Sequence, residues 1–163
     1  RGGEALASRP AGFDHPLGDE LLRPTAVYSP AVLALLAEVK VKGLSHVTGG
    51  GIPENLGRIL PGGVGAEIDA GAWPRPPIFD LIAAEGPVQE AEMQRTFNMG
   101  IGMIAVVAPD EAGATLALLE GEGHRAFEIG RTVPGEGVQI GPREGGPASP
   151  GETSSPPERS GGG

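Results

Sequence analysis

Helical and strand patterns alternate along most of this 163-residue chain. That alternation predicts an α/β (α+β) fold, a single layered domain with a mixed central sheet flanked by helices. The run Ile101–Ala108, IGMIAVVA, is nearly continuously apolar between Gly100 and Pro109, as in a strand covered on both faces. From Gly141 onward Gly, Pro and Ser crowd the sequence with hardly any apolar side chain. Burial there cannot offset the ordering entropy, so residues 142–163 are expected to be a disordered tail behind one domain at 17–141.

Residues 1–16 lack apolar periodicity and read as an irregular lead-in or the remnant of a helix. The opening at Arg1 rather than Met suggests a piece of a longer polypeptide. Leu17–Thr25 is a short amphipathic turn stopped by Pro24. Ser29-Pro30 starts a helix, with Ser as N-cap and Pro at the first helical position. Leu33, Leu36 and Val39, with Val32 and Leu35 beside them, form its apolar stripe, and it ends near Lys42-Gly43. Gly43–Thr48 is a short strand broken by Gly49, Gly50 and Gly51. Pro53–Leu60 reads as helix, Val64–Asp69 as an alternating strand, and Trp73–Pro77 as a rigid loop whose Trp packs in the core. Helices follow at Ile78–Ala84 and Val88–Arg95. Asp110 caps a helix over Glu111–Leu119, and Arg125–Val133 and Val138–Ile140 are the last strands.

Composition excludes several functions. With no Cys there is no disulfide, thiolate metal site or thiol nucleophile. No apolar run approaches the ~18 residues of a membrane helix, and no signal peptide pattern is present, so a cytoplasmic protein without a membrane partner is expected. A net charge of −9 with 12 scattered Lys and Arg argues against a nucleic-acid surface, which needs clustered basic residues. No His and carboxylate set has metal-ligand spacing, so no metal site is expected in this chain.

Two segments can carry chemistry. In His46-Val47-Thr48-Gly49-Gly50-Gly51-Ile52-Pro53-Glu54-Asn55 a strand runs through glycines into a helix start. Glycine permits positive φ and close approach of a ligand, and a helix start offers free N–H groups, so the segment is either a phosphate or carboxylate cradle or a tight turn with nothing bound. It has neither the Lys-Ser/Thr ending of a Walker A loop nor dinucleotide spacing. In Arg95-Thr96-Phe97-Asn98-Met99-Gly100 polar groups precede the most apolar strand, where Asn98 either faces a cleft as donor and acceptor or stabilises its own turn. A weaker third group, Asp19, Arg23, Thr25 and Tyr28, reads equally as capping and surface charge. Ser45 and His46 point to opposite faces of their strand and are not a catalytic pair. His15 and His124 have no evident companions and read as surface.

In order and spacing, three segments resemble blocks of the aminoimidazole ribonucleotide synthetases, also called phosphoribosylformylglycinamidine cyclo-ligases. These are LGDELLRPTAVY (Leu17–Tyr28), HVTGGGIPENLGRILPGGVGAEID (His46–Asp69) and EMQRTFNMGIGM (Glu92–Met103). The resemblance runs over about Leu17–Ile140 and is to the carboxy-terminal domain of that family. It implies an enzyme that closes formylglycinamidine ribonucleotide to aminoimidazole ribonucleotide in purine biosynthesis. It also implies that ATP with Mg²⁺ is bound mainly by an amino-terminal half that also forms a homodimer. The fragment alone is expected to be inactive. The substrate-binding positions carried over are Thr25, Thr48, Gly49, Gly50, Gly51, Asn55, Thr96, Asn98 and Gly100, with His46 as the proton-moving group. This sequence departs from the pattern at Ala26, where the family has Arg, and at Met99, where Cys is common. The alternatives are a non-catalytic binding module of the same fold, or a domain of a related ATP-dependent enzyme such as a selenophosphate synthetase or thiamine-phosphate kinase.

Overall fold

The strands divide between two sheets. In the computed structural model, which describes residues 2–141, β2 (Val64–Asp69) is the centre of a three-stranded mixed sheet ordered β4-β2-β5. It runs antiparallel to β4 (Gly130–Pro134), from Val64 opposite Pro134 to Ile68 opposite Gly130, and parallel to β5 (Val138–Gly141). β1 (Gly43–His46) and β3 (Met103–Val106) make a separate antiparallel pair with His46 opposite Met103. The expected tail at 142–163 lies outside the described residues.

Apolar burial explains this arrangement. Ala66 and Ile68 of β2 point inward, while Glu67 points out and pairs with Arg131 across the strands at 2.8 Å. Above that face, α4 (Gly51–Gly57) contributes Ile52 and Leu56, α6 (Glu90–Thr96) contributes Met93, and the loops add Trp73, Met99 and Ile101. Trp73 is buried, as expected, and its indole N–H donates to the Met99 carbonyl at 2.9 Å. α5 (Pro77–Glu85) flanks α6. Arg75 pairs with Asp80 of α5 and Glu90 of α6, each at 2.8 Å, and ties the rigid loop to both. α3 (Ser29–Glu38) packs on α7 (Ala112–Gly121), and the short α1 (Gly2–Ala7) packs on α2 (Leu17–Leu21).

Several boundaries differ from the sequence expectation. The third helix starts with Ser29 as its first residue and has no side-chain cap, and it ends at Glu38, where Val39 turns extended. Its buried residues are Ala31 and Leu35, followed by buried Val39 just past its end, while Leu33 and Leu36 are exposed. α4 begins two residues before Pro53, which is tolerated because first-turn N–H groups have no intrahelical partner. Asp110 lies inside a 3₁₀ turn, Pro109–Glu111, ahead of α7 and does not cap it.

The strand at Ile101–Ala108 is regular only over Met103–Val106. Ile101 and Ile104 are buried and their neighbours are half-buried. The reason is that β3 has a partner, β1, on one edge only. Likewise the strand expected at Arg125–Val133 begins at Gly130, where pairing with β2 begins. A groove of about 670 Å³ is lined by Leu35 of α3, Ile104 of β3, Leu116 of α7 and residues 124–132. Among the described residues no helix is long and apolar enough to cross a membrane.

Candidate functional site

The glycine segment leaves β1 at His46 and is folded back by one side chain. Asn55 is buried in α4, and its amide N–H groups reach the carbonyls of Thr48 at 3.3 Å, Gly49 at 3.2 Å and Gly51 at 2.8 Å. Its carbonyl oxygen accepts from the Thr48 hydroxyl and from Arg58 Nη1, both at 3.3 Å. Two hydrogens therefore serve three acceptors, and the Asn55 amide is committed to holding the loop.

Two glycines are demanded by this shape. Gly50 has φ of 97° and Gly51 of 60°. A Cβ on Gly51 would stand 1.9 Å from the Gln94 carbonyl oxygen and 3.0 Å from that of Phe97. The loop thus lies against the carboxy-terminal end of α6 and brings the second chemical segment, Arg95–Gly100, beside the first. By contrast a Cβ on Gly49 would meet nothing within 4 Å.

Around that contact the candidate residues differ in what they have left to offer. Asn98 accepts from the Gly100 N–H at 3.0 Å, which closes its own turn, while its amide N–H groups have no protein partner among the described residues. Met99 follows at φ of 52°, and Gly100 at 102° passes so close to Pro76 that a Cβ would be 2.7 Å from its Cδ. Thr96 turns back along α6 to Glu92 at 3.3 Å. Thr25 lies exposed on the link between α2 and α3.

The charge at the loop was not foreseen. The Glu54 carboxylate lies over Gly50, so that a Cβ there would be 2.0 Å from Oε2, and Arg58 pairs with Glu54. A first-turn carboxylate suits a helix start.

His46 stands exposed at the end of β1, next to the ring of Tyr28. His124, expected to be bare surface, is half-buried and stacked on Tyr28. His15 also has companions, Asp14 and Glu20, on the α1–α2 segment. The ring group joins residues far apart in sequence, and no local pattern announces it. Among the described residues no three His, Asp or Glu side chains converge as a metal site.

Residues 1–141 match the family described as AIR synthase related protein, C-terminal domain. The phosphoribosylformylglycinamidine cyclo-ligase of Myxococcus xanthus is 54% identical over 133 residues, 82% of this chain and 39% of that protein. The enzyme of the same name from Bacillus subtilis is 46% identical over 129 residues, 79% of this chain and 37% of that protein. Among solved structures, the hydrogenase maturation protein HypE of E. coli aligns with a TM-score of 0.57 at 26% identity, over 75% of this chain and 39% of that one. Thiamine-monophosphate kinase of Stenotrophomonas maltophilia aligns at 0.59 and 24% identity, over 83% of this chain and 42% of that one, a likeness of fold. The chain spans about 35–40% of the length of the curated relatives it matches. With the match spanning both chemical segments and the layered fold around them, the chain belongs to the AIR synthase related protein family, as its C-terminal domain.

Proposed function

We propose that this domain supplies the substrate side of a phosphoribosylformylglycinamidine cyclo-ligase, closing the imidazole ring of formylglycinamidine ribonucleotide in purine biosynthesis in the cytoplasm. The observation that carries this reading is the 46–54% identity to enzymes of that name across both chemical segments. The seating of Gly51 on α6, which joins those segments, supports it. In this reading the remaining amino-terminal portion of a full-length homodimer binds ATP with Mg²⁺. The described residues of this chain bring together no metal-ligand cluster, and no step is assigned to them through the metal.

The residues here take roles that fit their free groups. The unshared amide N–H groups of Asn98 donate to an oxygen of the formamide. The Thr48 hydroxyl, its hydrogen given to Asn55, accepts from an N–H at the same end of the substrate, and the Gly49–Gly51 backbone with Arg58 receives negative charge once Glu54 swings away. His46, exposed at the strand end, takes or returns the amidine proton during ring closure. Asn55 and Gly100 shape the loops.

The test is conversion of formylglycinamidine ribonucleotide by the purified full-length polypeptide with ATP and Mg²⁺, followed by loss of the formyl proton signal. A folded protein that consumes no substrate rejects the reading. Asn98→Ala is expected to lower kcat/KM by about a hundredfold, the scale of a lost transition-state donor. Unchanged kinetics would remove Asn98 from the site.

A further inference from the structure

We propose that Tyr28 is the positioning residue for His46, seated by His124 and by the bare backbone of Gly102. The proposal rests on the reading of His46 as the proton-moving group given above. His46 is exposed at a strand end, and an imidazole left free there spreads over several rotamers, whereas acid–base work needs one orientation.

Three separate parts of the chain converge to restrict it. Tyr28, at the N-cap of α3, presents its ring to His46 at 6.0 Å between centroids and 65° between planes. His124, in the turn after α7, stacks on Tyr28 at 5.5 Å and 28°. The Tyr28 hydroxyl lies directly over Gly102, where a Cβ would be 2.0 Å from the oxygen and 2.9 Å from Cζ. Gly102 does not have a left-handed φ, so the need for glycine there comes from Tyr28 and not from the backbone. The Val47 N–H donates to the Gly102 carbonyl at 2.9 Å, continuing the β1–β3 ladder. The seat of the Tyr28 ring and the residue it braces are therefore built on one rigid strand pair.

In this arrangement Tyr28 acts by its ring, through an edge contact, and does not touch the substrate. The test uses the full-length polypeptide. Tyr28→Leu is expected to lower kcat for ATP-dependent ring closure about tenfold with the nucleotide KM within about twofold, as displacement of a catalytic group does. Tyr28→Phe, which restores the ring, is expected to recover most of that loss. Gly102→Ala, which pushes the ring off its seat, should reproduce the Tyr28→Leu effect and add nothing to it in the double variant.

Wild-type kcat in Tyr28→Leu, alongside an impaired His46→Gln, overturns the positioning role, as does a Tyr28→Phe as damaged as Tyr28→Leu. A readout independent of turnover is the ring-current shift of the His46 ring protons by NMR. It should be present in the wild type and Tyr28→Phe and lost in Tyr28→Leu, and its absence from the wild type overturns the contact. A wild-type protein that shows the shift but makes no ring product rejects the proposed function and leaves the contact intact.

Discussion

The glycine-loop half and the α1–α2 half of this domain are held by opposite means. Around the loop, Ile52, Met93 and Trp73 are buried, and backbone meets backbone at Gly51 with no room for a methyl group. In the α1–α2 half Leu22 is 83% exposed, Leu6 and Leu21 are exposed too, and no residue of α2 is buried. A charged cluster of Asp14, His15, Glu20 and Arg23 lies there instead. The loop's place is thus fixed by packing, which salt and pH hardly touch, whereas the lead-in carries a small contribution that changes with protonation. The difference also separates glycines that look alike in sequence.

The largest effect expected from that contrast is at Gly51. Gly51→Ala adds a methyl group into the Gln94 carbonyl at a left-handed φ, and should cost about 3 kcal/mol or more, combining overpacking and backbone strain. Gly49→Ala, two positions earlier, meets open space and should cost about 0.5 kcal/mol or less. Urea unfolding of the two variants measures the gap, and equal midpoints would break the claim that the loop is seated on α6. Next comes Asn55→Ala, which removes a side-chain donor from three loop carbonyls, of which Thr48 keeps the Gly51 N–H, and should cost about 2 kcal/mol. A loss of about 0.5 kcal/mol or less by the same measurement would mean that water satisfies those carbonyls and the clasp is dispensable.

Much of this was legible in the sequence because it is local. The helices at α5 and α6, the alternating strand at β2 and the packing role of Trp73 follow from pattern and punctuation. The two chemical segments were legible as motifs, and their resemblance named the family that the comparisons show. What could not be read is what depends on distant partners. The stripe of α3 was misplaced onto Leu33 and Leu36 because periodicity allows several faces, and only the packing against α7 selects Ala31, Leu35 and Val39. β3 is shorter than its apolar run because one of its edges has no strand beside it. Asn55 looked like a ligand group, yet folding directs its amide inward. His124 looked bare because Tyr28 lies far away in sequence.

The smallest expected effect tests the other half of the contrast. His15 uses both ring nitrogens, to Asp14 at 2.5 Å and Glu20 at 2.8 Å, so it needs both protons. The hydrogen bond to Asp14, then that to Glu20, raises its pKa above the ordinary 6.5, and the bond to His15 in turn lowers Asp14 below 3.8. A raised imidazole pKa stabilises the fold fully below 6.5 and ceases to do so as pH rises through the raised value. A lowered carboxyl pKa stabilises it above 3.8 and ceases to do so as pH falls through the lowered value. The clamp is therefore complete from 3.8 to 6.5. Both groups sit at the surface, so solvent screening keeps the effect small. Hydrogen exchange corrected for intrinsic rate should show the Leu22 amide, bonded to Gly18, losing protection as pH rises above 6.5 and through the raised His15 value, with no such change in His15→Gln. The Val47 amide, bonded to Gly102 across the packed ladder, should keep its protection throughout. If both amides respond alike, the two halves unfold as one unit, and the contrast between packing and charge has no energetic meaning.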